Sequence, residues 1–407
     1  MNVGILTYYN VCNFGANLQA LSTYSYLKNH GINAVFINYR PETLVDYYNN
    51  NTNHDQRMVH EEFVRDFLSE TSRCYTIKDV AEVIKLNNLD AIIVGSDAVL
   101  QHRPLLSRVV FPCKSIISVS GYTDDVMFPN PFWGCFSDYL DKDVKKAIMS
   151  ASSQNSAYNL FGNRLKKLMS YQLSQFSYIS ARDQWTADMI KCITDNRVIP
   201  MVTPDPVFAF NFNVNNQRDE NYIKKKFNIQ GKYILLSFHP QFSLSEEWYH
   251  EFNAKCIGRG FECLALPYPQ SDGIKYSCIK KIPLPLSPMD WYLLIKYSSG
   301  YVGNNMHPIV VSLHNGVPCY SFDNYGVAHL RLFVNKKSSK IYHIMNMFGV
   351  SNNRIGCLNP FHKTPRPEVV MEKLLNYDKE HVLHKAKYMY EVYSKMMSDI
   401  LKSFGYE

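Results

Sequence analysis

The sequence predicts an α/β protein with two doubly wound domains that face a cleft and are closed by a C-terminal helix. Three observations predict this fold class. A chain of 407 residues is too long for one ordinary core and suits two domains of about 150–200 residues each. Short apolar runs alternate with segments of helical periodicity in both halves, as in parallel sheets with crossover helices. The final segment carries the apolar stripe of a long amphipathic helix.

The first half begins with two predicted strands joined by a helix. Residues 3–7 and residues 34–39 are short apolar runs. Between them, leucine and tyrosine residues recur at helical spacing over residues 16–29, and Gly31 follows as a stop. Such a unit predicts a right-handed parallel crossover. Residues 90–96 predict a further buried strand that ends in a Gly-Ser-Asp turn.

The second half repeats the pattern. Strands are predicted at residues 233–238, 261–266, 300–303 and 317–321, and helices at residues 246–258, 290–297 and 306–314. The last of these helices has Pro308 near its start and Gly316 beyond its end, an asymmetry typical of helices. His314 near its end is expected to be a cation favoured by the helix dipole. Residues 378–403 predict the C-terminal amphipathic helix.

The predicted domains are separated by a polar linker. Residues 1–207 are expected to form the N-terminal domain and residues 217–375 the C-terminal domain. Residues 376–407 are expected to pack back on the body as a helix. The linker is placed at the proline-containing residues 203–206 and the polar residues 211–216.

Composition excludes several classes of protein. Hydrophobic residues make up 46% and charged residues 19%, which excludes a disordered chain. No apolar run reaches the roughly 18–20 residues that span a bilayer, so a cytoplasmic protein is expected. Ten cysteines occur without a C-x-x-C pair, which favours reduced thiols over a metal site. Nucleic acid is not an expected partner, because no dense basic stripe occurs.

The net charge of +7 comes from the second half. Residues 1–205 carry 19 basic and 20 acidic side chains, whereas residues 206–407 carry 24 and 16. An excess of this size suits an anionic small molecule or a phosphate-rich membrane surface. The lysines at residues 224–226 and 336–337 could contact anionic lipid, although solvated surface lysines are the preferred interpretation.

Candidate site residues lie just after the predicted strands, where open parallel sheets bind ligands. The loop at residues 10–19 has the position of a substrate loop. Within it, Gly15 would let backbone N–H groups approach an anion, while Asn13 as a helix N-cap is the alternative interpretation. Ser96 and Asp97 follow another strand, where a turn with a helix-capping aspartate is the alternative.

Two histidines and an arginine extend this set. His239 and Pro240 follow a strand, where an imidazole can bind phosphate or move protons, although an isolated surface histidine is the alternative. His307 lies at the start of helix 306–314, whose free N–H groups attract an anion, with helix capping as the alternative. Arg182 is a further candidate cation, and an ion pair with Asp183 or another exposed acid is its alternative role.

Taken together and in order, these stretches resemble the polysaccharide pyruvyl transferase family. The resembling pieces span roughly residues 3–320. They are residues 13–19 (NFGANLQ), 38–41 (NYRP), 94–97 (VGSD), 131–134 (PFWG), 179–183 (ISARD), 205–206 (DP), 303–307 (GNNMH) and 316–318 (GVP). The ordered set is specific for the family rather than for one substrate.

The resemblance implies two Rossmann-like domains in a GT-B-like arrangement with an interdomain cleft, the acceptor on the N-terminal side and the donor on the C-terminal side. It implies a pyruvyl transferase that uses phosphoenolpyruvate as donor and releases phosphate. The product would be a pyruvate ketal on a sugar of a bacterial surface-polysaccharide repeat unit. Neither a metal nor a further cofactor is expected.

The resemblance carries His307 over position by position, because it matches the family's histidine and would face the donor. The other roles follow from the residue types that enolpyruvyl transfer needs. His307 and Asp97 are expected to be catalytic, His307 as the acid or as the partner of the leaving phosphate. The expected substrate-binding residues are Asn13, Gly15, Asn17, Gln19, Ser96, Arg182, His239, Asn304, Asn305 and Met306. The family usually reads Gly-Ser-Arg-Leu-His in the last motif, so Asn305 replaces an arginine. Ala98 and Leu100 likewise replace a glutamine and a tryptophan.

Two other functions stay open from the sequence. A glycosyltransferase of the same architecture would use a nucleotide sugar, although no acidic residue is convincingly placed to bind its ribose. A catalytically inactive, glycan-binding member of the family would agree with the loss of the arginine at position 305. A lipid-linked oligosaccharide is one form the acceptor could take, and it would bring the protein to the inner face of the cytoplasmic membrane as a peripheral protein.

Overall fold

Two parallel β-sheets, one in each half of the chain, form the framework of the protein. The computed structural model describes residues 1–113, 116–119, 121–215, 217–239, 242, 244–274, 276–329, 333–358 and 361–406. Helices cover the faces of both sheets, so the strands are buried and read as short apolar runs. The predicted α/β class is confirmed by this architecture.

The N-terminal half contains nine of the described strands. Its elements are β1 (Asn2–Leu6), α1 (Phe14–Asn29), β2 (Asn33–Tyr39), α2 (Glu42–Asn51), α3 (His54–Phe67), β3 (Glu70–Cys74), α4 (Ile77–Leu86), β4 (Ala91–Val94), α5 (Leu105–Arg108), β5 (Val109–Cys113), β6 (Ile116–Val119), β7 (Lys145–Ala151), α6 (Asn163–Leu173), β8 (Tyr178–Ala181), α7 (Gln184–Ile193) and β9 (Met201–Val202). Seven strands form a parallel sheet in the order β3-β2-β1-β4-β7-β8-β9, and β5 and β6 form a separate hairpin.

The C-terminal half is built in the same way. Its elements are α8 (Phe210–Asn213), α9 (Glu220–Lys226), β10 (Lys232–Ser237), α10 (Glu246–Ile257), β11 (Phe261–Ala265), β12 (Lys280–Lys281), α11 (Pro288–Lys296), β13 (Gly300–Gly303), α12 (Met306–His314), β14 (Cys319–Asp323), β15 (Val327–His329), β16 (Phe333–Asn335), α13 (Lys340–Met347), β17 (Arg354–Gly356), α14 (Pro367–Leu375) and α15 (Lys379–Ser403). The parallel sheet runs β12-β11-β10-β13-β14-β17, beside an antiparallel β15-β16 pair.

Both sheets reverse their strand order at one point. The first strand of each sheet has the second strand on one side and a later strand on the other, as β1 lies between β2 and β4. In the second sheet, β10 lies between β11 and β13. The loops after these strands diverge there and leave a crevice at the carboxyl edge, which is where open α/β sheets bind ligands.

The predicted linker is a packed crossing between the two sheets. Residues 206–209 form a 3-10 turn that continues into α8, and Phe208 and Phe210 are fully buried. The Ser22 hydroxyl of α1 donates to the Pro206 carbonyl at 2.7 Å, and the Asn213 amide donates to the Ser22 carbonyl at 3.1 Å. The apolar residues between the two polar stretches bury the segment, and Asn216 lies outside the described residues.

Further contacts join the two halves. The Gln56 side chain both donates to and accepts from the Leu286 backbone, at 2.8 and 2.7 Å. Phe14 stacks on Trp291 with ring centroids 5.3 Å apart. Helix α15 follows the C-terminal sheet but returns to the N-terminal one, where its Met396 sulfur accepts from the Ser150 hydroxyl at 3.2 Å. The C-terminal helix therefore closes the molecule as expected.

Two further sequence expectations concern the cysteines and membrane-spanning helices. The cysteines whose side chains are described are free thiols, most of them buried. In the part of the chain that the structure describes, no helix has both the length and the apolar character needed to cross a membrane.

Candidate functional site

A cleft between the two halves contains the residues after β1, β4, β10 and β13. It has two lobes, of about 660 and 650 Å³, which share Asn13, Tyr47, Tyr48 and Gln154 in their walls. The first lobe is lined by both halves and includes Asn305, His307, His239 and Tyr268 of the C-terminal half. The second is lined by the N-terminal half and includes Asp97.

Helix α12 opens directly into the first lobe. Its N-cap, Asn305, has an extended backbone, and its side chain makes no capping hydrogen bond among the described residues. The N–H groups of the first turn therefore lack the side-chain acceptor that usually satisfies one of them. An open helix N-terminus carries partial positive charge and favours an anion.

His307 stands in the first turn of this helix and is 8% exposed. Its Nε2 has no hydrogen-bond partner in the described part of the chain. Across the cleft, a Cβ atom added to Gly15 would lie 2.0 Å from the His307 Cγ, so the imidazole rests directly against the backbone of α1. Position 15 therefore requires glycine because an imidazole from the other half occupies the side-chain space.

Burial keeps the His307 imidazole neutral in the free protein. It lowers the pKa of His307 to about 4, and the cations Arg182 and Lys340 act in the same direction. Asp205 and Asp97 oppose this shift. A bound dianion would favour the imidazolium form and raise that pKa again.

Arg182 forms a buried charged centre with the carboxylates of Asp205 and Asp97. Its Nη1 donates to the Asp205 carboxylate at 3.0 Å, and its Nη2 lies 3.6 Å from the Asp97 carboxylate. The side-chain amide of Gln19 donates to the same Asp205 oxygen at 2.5 Å. Burial opposes the charge of Arg182, but the carboxylates of Asp205, Asp97 and Asp183 raise its pKa overall. The expected ion pair therefore forms, but with buried acids in the site rather than with an exposed one.

The turn after β4 presents Asp97 to the second lobe. Asp97 has a left-handed backbone with φ of 83°, which costs a non-glycine residue free energy. One carboxylate oxygen accepts from the Ala98 N–H at 2.8 Å, so the expected turn forms, but Asp97 caps no helix, because the next described helix begins only at Leu105. The Ser96 hydroxyl donates to the Ser150 carbonyl at 2.8 Å and thereby ties the turn to β7. Ser96 is thus a structural residue of this turn rather than a ligand.

Two asparagines of the first loop hold the loop itself. Asn13 caps α1 by accepting from the N–H groups of Gly15 and Ala16, at 3.1 and 3.3 Å. Asn17 is fully buried, and its amide donates to the Tyr9 carbonyl at 2.6 Å. Its carbonyl oxygen lies 2.7 Å from His60 Nδ1. The expectation that Asn17 binds substrate directly is wrong, because burial leaves it no access to the cleft.

The loops after β10 and β13 are tied together by Asn304. Its carbonyl oxygen accepts from the His239 N–H at 2.9 Å and from the Tyr268 hydroxyl at 2.8 Å. His239 lines the first lobe, and burial lowers its pKa. Pro240 lies outside the described residues. The Met306 side chain packs in the core, so the expectation that it contacts substrate is wrong for the side chain.

The remaining polar side chains take positions that the sequence did not indicate. Tyr325 and Tyr268 line the first lobe. Lys340, at the start of α13, acts on the pKa of His307 and places its ammonium 4.5 Å from the Tyr325 ring centroid. None of the three lies in a motif that marked the site. Among the described residues, no group of three or more His, Cys, Asp or Glu side chains could hold a metal ion.

Comparisons with known proteins agree on fold and family. The model of the polysaccharide pyruvyl transferase family matches residues 13–325, whereas no curated protein matches the chain significantly. A putative UDP-N-acetylglucosamine 2-epimerase from Listeria monocytogenes has a TM-score of 0.53 at 11% identity, over 99% of this chain and 96% of that chain. The S. aureus MnaA–UDP structure has a TM-score of 0.51 at 10% identity, over 99% and 97%.

Medicago truncatula UGT71G1 complexed with UDP-glucose has a TM-score of 0.51 at 12% identity, over 98% of each chain. At such identities the similarity is one of fold. It confirms the expected GT-B-like arrangement of two Rossmann-like domains.

Proposed function

The chain belongs to the polysaccharide pyruvyl transferase family, and on that basis we propose that it transfers the pyruvyl group of phosphoenolpyruvate to a sugar of a bacterial surface-polysaccharide repeat unit. The observation that best supports this reaction is the position of His307. Its Nε2, which has no hydrogen-bond partner among the described residues, lies at the open N-terminus of α12, in a cleft whose other lobe belongs to the N-terminal half.

The proposed reaction needs one proton donor, one base and cations. Protonation of the methylene carbon of the donor gives a methyl group and a cationic C2, which a first sugar hydroxyl attacks. Phosphate leaves as a second hydroxyl of the same sugar closes the ketal. The two sugar hydroxyls release two protons. One restores the proton that the acid gave to the methyl group, and the other leaves with phosphate. Buried donors and cations stabilise the charges that develop in such steps.

His307 fits the acid role because its protonation depends on the donor. The free imidazole is neutral at neutral pH, since burial lowers its pKa to about 4. A phosphate bound at the start of α12 would compensate the imidazolium charge and raise that pKa. The histidine would therefore carry a proton when the donor is in place and give it to the donor carbon or to the leaving phosphate.

The second lobe fits a sugar. Tyr47 and Tyr122 line it with side chains that are 50% and 45% exposed, and sugar rings stack on such aromatic faces. Asp97 lies in the same lobe and is proposed to accept a hydroxyl proton. Gln101 and Gln154 provide further polar groups for hydroxyls. A lipid-linked oligosaccharide would present its terminal sugar here.

Transfer from a nucleotide sugar is the second candidate function. It is favoured by the fold, because the structures of MnaA and UGT71G1 contain UDP and UDP-glucose. In that case the α12 N-terminus would bind a diphosphate. A third candidate, a family member that binds glycans without turnover, is favoured by the neutral Asn305 at the mouth of α12.

One experiment separates the three functions. Purified protein is incubated with phosphoenolpyruvate and a panel of sugars and lipid-linked oligosaccharides that carry free 4- and 6-hydroxyls, and phosphate release is measured. Thermal shifts with phosphoenolpyruvate, UDP-glucose and UDP-N-acetylglucosamine are recorded in parallel. Phosphate release that depends on the acceptor supports the proposed function. Stabilisation by nucleotide sugars alone supports the glycosyltransferase, and absence of both release and donor binding supports the glycan-binding protein.

Contact with a membrane surface is the remaining part of the proposal. Two of the lysines at residues 224–226 are already engaged, Lys224 with Glu220 at 2.7 Å and Lys226 with Asp290 at 2.8 Å. The charge that they offer to anionic lipid is correspondingly reduced. Sedimentation with anionic vesicles would test the contact directly.

A further inference from the structure

The cations of the site are unequally available to a ligand. Arg182 faces the carboxylates of Asp205 and Asp97, at 3.0 and 3.6 Å, so its charge is already matched by two acids. Asn305 at the mouth of α12 is a neutral amide. A donor with a carboxylate and a phosphate needs more positive charge than these groups and one helix terminus provide.

Lys340 is a cation that the fold brings to the same place. Asp323, at the end of β14, accepts from the Ser339 hydroxyl at 2.5 Å and from the Tyr325 N–H at 2.8 Å. Ser339 in turn caps α13 by accepting from the Tyr342 N–H at 3.1 Å. One buried carboxylate therefore positions both the tyrosine of the cleft wall and the first residue of α13, which is Lys340.

The ammonium of Lys340 lies against that wall. Its Nζ is 4.5 Å from the ring centroid of Tyr325, which lines the first lobe together with His307 and Asn305. Within the described ranges of the chain, no carboxylate oxygen lies within 4.0 Å of Nζ, whereas Arg182 has one such neighbour at 3.0 Å and another at 3.6 Å.

The electrostatics agree with a cation that lacks an ion-pair partner. Burial lowers the pKa of Lys340 to about 8, and Arg182 lowers it further, while Asp97, Asp183 and Asp205 oppose the shift. The influence of Lys340 on the pKa of His307 shows that the same charge acts at the proposed acid. A bound anion would relieve this unfavourable balance, whereas removal of the lysine would not disturb any ion pair.

We propose that Lys340 is a donor-binding residue, which together with Arg182 binds a ligand carrying phosphate and carboxylate groups at the opening of α12. The inference rests on the proposed function, because it assumes that the anionic ligand is phosphoenolpyruvate. It assigns donor binding to a residue of α13, which lies outside the motifs found in the first 320 residues. Tyr325 acts as the support of the lysine side chain.

The test is calorimetric titration of phosphoenolpyruvate and, separately, of inorganic phosphate into the full chain. The variants are Lys340→Gln, Lys340→Arg and the control Lys337→Gln, which removes an exposed lysine three residues earlier. We expect Lys340→Gln to weaken phosphoenolpyruvate binding about tenfold or more, as for loss of a charge-assisted hydrogen bond. Lys340→Arg should retain most of the affinity, and Lys337→Gln should match the wild type.

The outcomes separate this inference from the function on which it rests. If the wild type binds phosphoenolpyruvate and Lys340→Gln binds it as tightly as Lys337→Gln does, the lysine has no role and the proposed function stands. If the wild type binds nucleotide sugars but not phosphoenolpyruvate, the proposed function fails and the inference with it. Equal losses in Lys340→Gln and Lys340→Arg, with unchanged circular dichroism, would also overturn a role based on charge.

Discussion

Gly15→Ala should disable the site without removing any of its functional groups. The added methyl carbon would lie 2.0 Å from the Cγ, 2.2 Å from the Nδ1 and 2.4 Å from the Cδ2 of His307. Ordinary carbon contacts are about 3.5–4.0 Å, so the imidazole or α1 must move by about 1.5 Å. A displacement of about 1 Å in a catalytic group can lower a rate about 100-fold.

The expected result is a loss of about 100-fold in acceptor-dependent phosphate release, with a destabilisation of about 1–3 kcal/mol from overpacking. Phosphate release and urea unfolding measure the two effects. The control is Gly231→Ala, because a Cβ at that position meets nothing within 4 Å. Gly231 immediately precedes the amino end of β10, whereas the cleft lies at the carboxyl ends of the strands.

A double variant shows whether the loss acts through the imidazole. In His307→Ala the space beside position 15 is free, so adding Gly15→Ala should cost neither further rate nor stability. Neighbouring groups that act through one contact show such non-additive effects. Additive losses in Gly15→Ala/His307→Ala would refute the steric argument, and so would a fully active, fully stable Gly15→Ala.

Three further predictions concern the acid, the buried ion pair and pH. His307→Ala should lower phosphate release by about 100-fold or more while leaving the circular dichroism spectrum intact, and a wild-type rate would remove it from the mechanism. Asp205→Asn should lower the free energy of unfolding in urea by about 3–5 kcal/mol, because Arg182 loses its nearest carboxylate. As a control, Asp141→Asn at an exposed ion pair should lower it by less than about 1 kcal/mol. Burial lowers the pKa of His60 and His314 to about 3 and that of His307 to about 4, below the ordinary 6.5. The unfolded chain therefore binds more protons below pH 6.5, and stability should fall from pH 6.5 towards 4; unchanged stability over that range would contradict the neutral buried state.

Much of the site could be predicted because its residues follow strands. The carboxyl ends of parallel strands share one edge, so Gly15, Asp97, Arg182 and His307 could be expected near one another although about 290 residues separate the first from the last. The strand order puts the loops after β1 and β4 side by side in one sheet, and the packing of the two halves brings His307 against Gly15. These predictions depend on sheet topology, which short apolar runs indicate well.

Residue roles that depend on a partner distant in the sequence could not be predicted in this way. Asn17 and Gln19 have similar side chains two positions apart, yet one anchors the loop and the other donates to Asp205. Lys340 reaches the site because Asp323 holds the start of α13, a contact that no local pattern indicates. His314 was expected to be a cation at a helix C-terminus. It is instead buried, and its pKa is lowered.

His314 also packs against the predicted linker segment. Its ring lies edge-on to Phe208 at 6.2 Å, and its Nε2 accepts from the Asn211 N–H at 3.3 Å, so the crossing segment covers it. The predicted linker segment is therefore part of the core, because all four residues 207–210 between its two polar stretches are buried.

This packed crossing has a consequence for the chemistry of the cleft. Its residues contact α1 through Ser22 and α12 through His314, and these are the two helices whose first turns carry Gly15 and His307. Asp205, immediately before the crossing, holds Arg182 and Gln19. The relative position of the two helix ends is therefore set by buried side chains rather than by the ligand. Because packing fixes the site in this way, its polar groups are already oriented before charge develops in a reaction. Less rearrangement of these groups is then needed to stabilise that charge.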